Sequence, residues 1–309
     1  MESSYMETVG IISTVRAPYS QLKAFVNFHH NIGIDHIVLF FDDPEDEAFS
    51  KFCDVPGVIA VRCDEAYWND NAMERPGFIE ERQKVNVNNG VEYLAAKQCT
   101  WSVHIDCDEL INPLKPLKSL LAASQSDVVR FAIFEAVAEK EEYESLYTPN
   151  LFRKQSRKKI VRFARKTGFF SAFFDGEFFR GHTVSKSAIR IKPEFKHQYG
   201  IHGLDKSVKA SKVNTDAIQL LHFDCVSFDA WKTKWDRRLD GTGVAAGMRP
   251  NRRKQMQYYQ TAKSEGEASL KELFNRLHNI RRIERPFLYL FNMIKRVRLQ
   301  SDLFEDAKE

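Results

Sequence analysis

A chain of 309 residues is long enough for one large α/β domain with additions, or for two small domains. Apolar residues make up 43% and charged ones 28%, the balance of a globular protein rather than a fibrous or low-complexity one. A net charge of +4 is too small to argue for nucleic acid by itself. The five cysteines are scattered and form no Cys-x-x-Cys pair, which excludes a zinc ribbon or a disulfide framework as a reading. No run approaches the ~20 apolar residues of a membrane span. Nor does a basic segment followed by an apolar stretch open the chain. The expected location is cytoplasmic.

Thr8 to Val15 reads as a first strand, followed by a helix from Tyr19 to Ile32 that Gly33 ends. His36 to Phe41 is a continuous apolar strand stopping at Asp42-Asp43-Pro44, and Val58 to Arg62 is a third strand. The spacing predicts a helix over Ile79 to Lys97, with Val87, Val91 and Leu94 as its apolar stripe. Gln83, Asn86 and Gly90 form a polar stripe beside it, ordinarily a solvated face, with a cleft-facing one as the alternative because the helix leads directly into the strand before Asp106. Trp101 to Ile105 and Val128 to Phe134 are further strands. This alternation predicts an α/β fold, a mostly parallel central sheet flanked by helices. After Glu139 the chain becomes basic from Arg153 to Lys166, then Phe-rich. From Ser227 onward it reads as helical, with Ser227 as an N-cap and Phe228, Trp231 and Trp235 at i, i+3 and i+7. The expected organisation is one domain over residues 1–240 with a helical extension over 241–309.

The sharpest chemical signal is Asp106-Cys107-Asp108-Glu109, directly after an apolar strand. Residues two apart on an extended chain point the same way, so Asp106 and Asp108 are expected to converge on one cation. Carboxylate oxygens suit a hard divalent ion, Mg²⁺ or Mn²⁺, that bridges to phosphate. An Asp-x-Asp alone is commonplace in turns; its place at a strand's carboxyl end, where open α/β sheets hold ligands, points to chemistry. The same rule nominates Thr14 and Arg16 after the first strand, and Asp42 and Asp43 after the second, as nucleotide contacts. A charged turn before Pro44 explains the two aspartates equally well.

Four segments in order resemble the glycosyltransferase family 2-like group with a GT-A (Rossmann-like) fold, the branch bearing Asp-x-Asp-Glu and a later His-aromatic motif. They are Leu22 through His36, with its His-Asn-Ile-Gly-Ile-Asp-His; Arg82-Gln83 with Asn86; Ile105 through Leu110; and Leu221-His222-Phe223 followed by Ser227-Phe228. The likeness covers about residues 8–240. The group commonly has Asn-Glu after the first strand, where this chain has Val15-Arg16. The resemblance implies a metal-dependent enzyme that moves a hexose from a nucleotide-diphosphate sugar to a glycan or lipid-linked acceptor, with inversion, in cell-surface polysaccharide synthesis. It implies Asp106 and Asp108 as the metal-binding pair, one touching the ion and the other the ribose or a metal-bound water, with His222 as third ligand, and Asp106, Arg82, Gln83, Asn86 and Lys186 as contacts to the donor.

Inversion needs a base to take the acceptor hydroxyl proton. Glu135, just past a strand end, and Asp175, in Phe-Phe-Asp-Gly-Glu, are the nominees. Toward the C-terminus, Arg285-Pro286 opens a predicted helix with Phe287, Leu290, Phe291 and Ile294 apolar and Lys295, Arg296 and Arg298 at its end. Such a basic amphipathic end suits an anionic membrane surface, and packing against the domain explains it equally well. The competing readings are a non-catalytic nucleotide-sugar or glycan-binding protein of the same fold, and a nucleic-acid binder using Arg153 to Lys166. The acids of the expected cleft argue against the last, so no nucleic-acid partner is expected.

Overall fold

The computed structural model describes residues 7–168, 170–181, 183–240 and 250–306. Part of the expected C-terminal extension, residues 241–249 and 307–309, therefore lies outside the described residues. The chain opens with β1 (Val9–Val15), α1 (Tyr19–Asn31), β2 (His36–Phe41), β3 (Val58–Arg62), α2 (Glu65–Asp70) and α3 (Ile79–Ala96). Next come β4 (Trp101–His104), β5 (Glu109–Pro113), α4 (Leu117–Ala122), β6 (Val128–Ala136), β7 (Leu151–Lys154) and α5 (Lys158–Lys166). The strands β8 (Ser187–Arg190), β9 (Tyr199–Gly200), β10 (Gly203–Leu204) and β11 (Lys212–His222) follow. Last are α6 (Phe228–Leu239), α7 (Pro250–Glu265), α8 (Glu267–His278), α9 (Arg285–Leu290) and β12 (Ile294–Arg296).

Two compact units emerge, residues 1–132, 184–220 and 300–309 in the first, residues 133–183 and 221–299 in the second. The division differs from the boundary expected at residue 240, because β6 and β11 each carry the chain from one unit into the other.

In the first unit the strands run β3-β2-β1-β4-β8-β6. The pairings of β1 with β2, β2 with β3 and β1 with β4 are parallel, and β8 then pairs antiparallel with β4 and β6. With its flanking helices and helical C-terminal part, the chain has the expected α/β architecture, consistent with a GT-A-like fold. Strands covered on both faces read as unbroken apolar runs, and β2 is buried from Ile37 to Phe41. Helix α3 lies unusually close to β1. A Cβ on Gly90 would sit 2.7 Å from Ile12 Cγ2, and one on Gly10 would collide with Leu94. The supposed polar stripe of α3 is thus no solvated face: Asn86 and Gly90 are buried against the sheet. At the far end of the chain, Phe304 packs on Phe28 of α1 with ring centroids 5.2 Å apart, and Asn27 Nδ2 donates to its carbonyl at 3.1 Å.

The second unit pairs the end of β6 with β7, and β7 with β12, all antiparallel. Its core joins Trp231 and Trp235 of α6, Tyr259 of α7, and Phe274 and Leu277 of α8. Ser227 caps α6 as expected, its Oγ accepting from the Ala230 N–H at 3.3 Å. The helix predicted to begin at Arg285 is shorter than expected. It stops at Leu290, Asn292 takes a left-handed φ of 55°, and Ile294–Arg296 becomes a strand hydrogen-bonded to β7.

Candidate active site

Strands β2 and β3 lie on one side of β1, and β4 lies on the other. The winding of the parallel strands therefore reverses between β1 and β4. The crevice outside the carboxyl ends at such a reversal is where open α/β sheets hold their ligands. Arg16 follows β1 there, and Asp106 follows β4.

Asp106-Cys107-Asp108-Glu109 is a turn, not an extension of the strand. The Glu109 N–H donates to the Asp106 carbonyl at 2.9 Å, and the Asp106 N–H donates to Glu109 Oε2 at 3.0 Å. Side-chain alternation along a strand therefore does not apply to Asp106 and Asp108. Gln21 Nε2 of α1 donates to the Cys107 carbonyl at 2.9 Å and pins the turn from outside. The Cys107 thiol is held protonated by burial first and by its two flanking aspartates second. Asp106, Cys107 and Asp108 are half-buried, while Glu109 is fully buried.

Asp106 is oriented from both sides. Gln83 Nε2 donates to its Oδ1 at 2.8 Å, and Lys186 Nζ lies 3.0 Å from its Oδ2. Lys186 is only 1% exposed, and its Nζ also lies 3.7 Å from Glu109 Oε2 and donates to the Ile201 carbonyl at 3.3 Å. Burial alone would discharge this ammonium, but Asp106 and Glu109 outweigh burial and raise its pKa above the ordinary value. His104 Nδ1 stands 3.5 Å from the same Nζ. Its pKa is pushed down to about 4 by burial and then by Lys186, so the ring is neutral. Gln83, Asp106 and Lys186 are thus brought together, from positions 83, 106 and 186 of the chain.

The other nucleotide nominees are drawn mainly into the scaffold. Arg82 grips Asp42 in two parallel contacts, Nε to Oδ1 at 2.6 Å and Nη2 to Oδ2 at 3.0 Å, both residues being buried. Arg82 Nη1 also donates to the carbonyls of Pro76 and Gly77, each at 2.9 Å. Asn86 Nδ2 donates to Thr14 Oγ1 at 2.9 Å, and Tyr67 OH donates to Asn86 Oδ1 at 2.7 Å. Arg16 and Asp43 remain at the surface as an ion pair of 3.4 Å. Sequence reasoning missed Tyr67, whose partner lies 19 residues away and leaves no local pattern.

In the second unit, Glu135 is 1% exposed and its carboxylate is saturated. It accepts from the N–H of Arg180 at 2.8 Å and of Gly181 at 2.5 Å, with Arg153 Nη1 at 3.4 Å. That geometry makes it an anchor for the 180–181 turn. Asp175 occupies a tight hairpin between Phe174 and Glu177, where it and Gly176 have φ of 50° and 80°, the I′ pattern of an Asp-Gly turn. Turn chemistry accounts for its presence. His222 ends β11 and is buried; a Cβ on Gly181 would lie 3.3 Å from its Cε1, so glycine there lets the turn approach the ring. Asp224, missed in the sequence, is buried two residues on and bound by Lys234 Nζ at 2.5 Å and Arg252 Nη2 at 2.7 Å. Burial opposes its charge, yet these two cations hold the carboxyl well below the usual range.

No family model matches this chain. No curated protein matches it either. Among solved structures it is similar to S. aureus TarS 1-349, with a TM-score of 0.34 and 11% identity over 83% of this chain and 71% of that one. The same fragment in complex with UDP-GlcNAc gives 0.34 and 11% over 92% and 79%. A mannose-1-phosphate geranyltransferase from Thermus thermophilus gives 0.28 and 9% over 89% and 69%. These resemblances are loose and say nothing of this chain's substrate.

Proposed function

We propose that this chain is a glycosyltransferase whose nucleotide-diphosphate sugar donor sits outside the carboxyl ends of β1 and β4. The observation that carries this reading is the acidic turn at the winding reversal, with Asp106 already set by Gln83 and Lys186. A scaffold turn does not ordinarily need a fully buried lysine aimed at a half-exposed carboxylate. Desolvating an ammonium is costly, and Asp106 and Glu109 offset that cost here.

The donor set fits Mn²⁺ or Mg²⁺. The turn offers hard carboxylate oxygens from Asp106 and Asp108, the donor type such an ion prefers. Held there, such an ion would supply positive charge to offset that of a departing diphosphate. Lys186 adds fixed positive charge behind Asp106, and Gln83 keeps that carboxylate from rotating. Arg16, now paired with Asp43 at the surface, would exchange that carboxylate for a phosphate oxygen. Glu109 holds the turn's backbone in place.

Melting curves with nucleoside diphosphates and Mn²⁺ test this. A ligand at a hundred times its Kd stabilises by about 2.7 kcal/mol, a shift of several degrees. Asp108→Ala should abolish the shift while leaving the unliganded melting point near wild type. No shift with any nucleoside diphosphate removes the proposal. The expectation that His222 is a metal ligand has its own test, since His222→Ala then lowers Mn²⁺ affinity.

A second reading has one observation in its favour: Glu135, one of the two expected bases, is already engaged by the N–H groups of Arg180 and Gly181. A non-catalytic nucleotide-sugar binder needs none. Metal-dependent hydrolysis of UDP- and GDP-sugars without acceptor separates the two, because a pure binder releases no nucleotide.

A further inference from the structure

On the second unit, α5 and the segment around α9 share one face. The rings of Phe163 and Phe291 meet edge-on with centroids 6.1 Å apart. Ser156 Oγ donates to the Phe291 carbonyl at 3.2 Å, and Lys154 Nζ donates to Asn292 Oδ1 at 2.8 Å. Large apolar side chains stand out from this face: Leu290 is 77% exposed, Ile283 68%, Phe163 58% and Phe287 46%. Four such side chains on α5, α9 and the single turn before α9 are more than the scattered singles of an ordinary surface.

The charge around them is predominantly positive. From Leu151 to Phe174 the chain carries eight Lys and Arg and no acid. Six of them, Arg157, Lys158, Lys159, Arg162, Arg165 and Lys166, are exposed. On α5, Lys159 and Lys166 stand at i−4 and i+3 from Phe163, so the ring is bracketed by ammonium groups on its own face. Nearby Arg285 and Arg296 share the one carboxylate of Glu139, and Arg282, Lys295 and Arg298 extend the basic rim. Among the described residues no helix is long and apolar enough to cross a membrane.

We propose that this face docks on an anionic lipid bilayer. Leu290 and Ile283 enter the boundary between headgroups and acyl chains, Phe163 and Phe287 lie at its edge, and the cations of α5 meet lipid phosphates. The two most exposed apolar residues are aliphatic and offer no ring for bases to stack on, which favours lipid over single-stranded nucleic acid. This inference is independent of the reading of the first unit and stands if that reading fails.

The test is sedimentation of the full chain with vesicles of phosphatidylcholine alone, or of equal parts phosphatidylcholine and phosphatidylglycerol, at low and high salt. Binding is expected to the anionic vesicles and to weaken with salt. Reversing three charges by Lys158→Glu, Lys159→Glu and Arg162→Glu should weaken it at least about 100-fold, at roughly fivefold for each cation lost and more for each carboxylate added. Leu290→Ser with Ile283→Ser should weaken it about tenfold or more. Melting points near wild type for both variants separate lost docking from lost folding. Absence of binding to anionic vesicles overturns the proposal, as does binding that Leu290→Ser and Ile283→Ser leave intact. Salt-sensitive binding to a single-stranded oligonucleotide without vesicle binding assigns the face to nucleic acid and overturns it too.

Discussion

Arg82 and Asp42 show what a charged residue near a site can be for. Each is an acceptable nucleotide contact by position, and the structure turns each toward the other across 40 residues of sequence. Removing one partner of a buried pair strands the other. Arg82→Met is therefore expected to destabilise by about 3 kcal/mol in urea unfolding, softened by Arg75, which lies 3.2 Å from Asp42 Oδ1. A loss below the noise of the measurement would restore Arg82 to the list of donor contacts. His29 makes a pH-dependent contribution. Its Nδ1–H donates to the Phe25 carbonyl at 2.8 Å and its Nε2 accepts from the Ile111 N–H at 3.3 Å, so the ring folds neutral. Burial pushes its pKa down to about 3. The unfolded chain takes up that proton near pH 6.5 and the folded chain does not. Stability should therefore fall as pH drops from about 6.5 toward 3, by up to about 1.4 kcal/mol per pH unit for this group. His104, at about 4, contributes with the same sign. His29→Gln should lower stability at neutral pH and remove about one proton from the acid slope; an unchanged slope would refute the assignment.

Helix α3 and β1 illustrate the scale of the element. Their existence was legible from periodicity and from an apolar run, but their separation was not. Gly90 reads as a gap in a polar stripe; in the fold it is the point where the helix meets Ile12. Gly90→Val should overpack this contact and cost about 1–3 kcal/mol, and Ile12→Ala in the same chain should recover part of the loss. Additive costs would show that the two sites do not touch. The acidic turn makes the same point. The apolar strand before it and the acids themselves are plain in the sequence, whereas the hydrogen bond from Glu109 back to Asp106 is a choice of backbone path. Lys186 resembles a lysine of the family group, yet its burial against Asp106 is visible only once β8 lies beside β4.

At the scale of the molecule, the chain leaves the first unit in β6, returns at residue 184, leaves again in β11 and returns at residue 300. A boundary drawn from composition cannot follow such a path, since nothing local marks a strand as shared. The same holds for β12, which composition assigns to a basic helix and which pairs with β7, as between Ile294 and Arg153. Its backbone donors and acceptors found partners about 140 residues away. The amino-acid order alone determined the alternating strands and helices, the buried parallel core and the acids at the end of β4, because periodicity and apolar runs are local properties of the chain. Tertiary structure decided which charged groups neutralise one another, where α3 comes close enough to require glycine, and how Asp106 is aimed. Those outcomes depend on distances between residues far apart in sequence, and burial makes each of them energetically consequential.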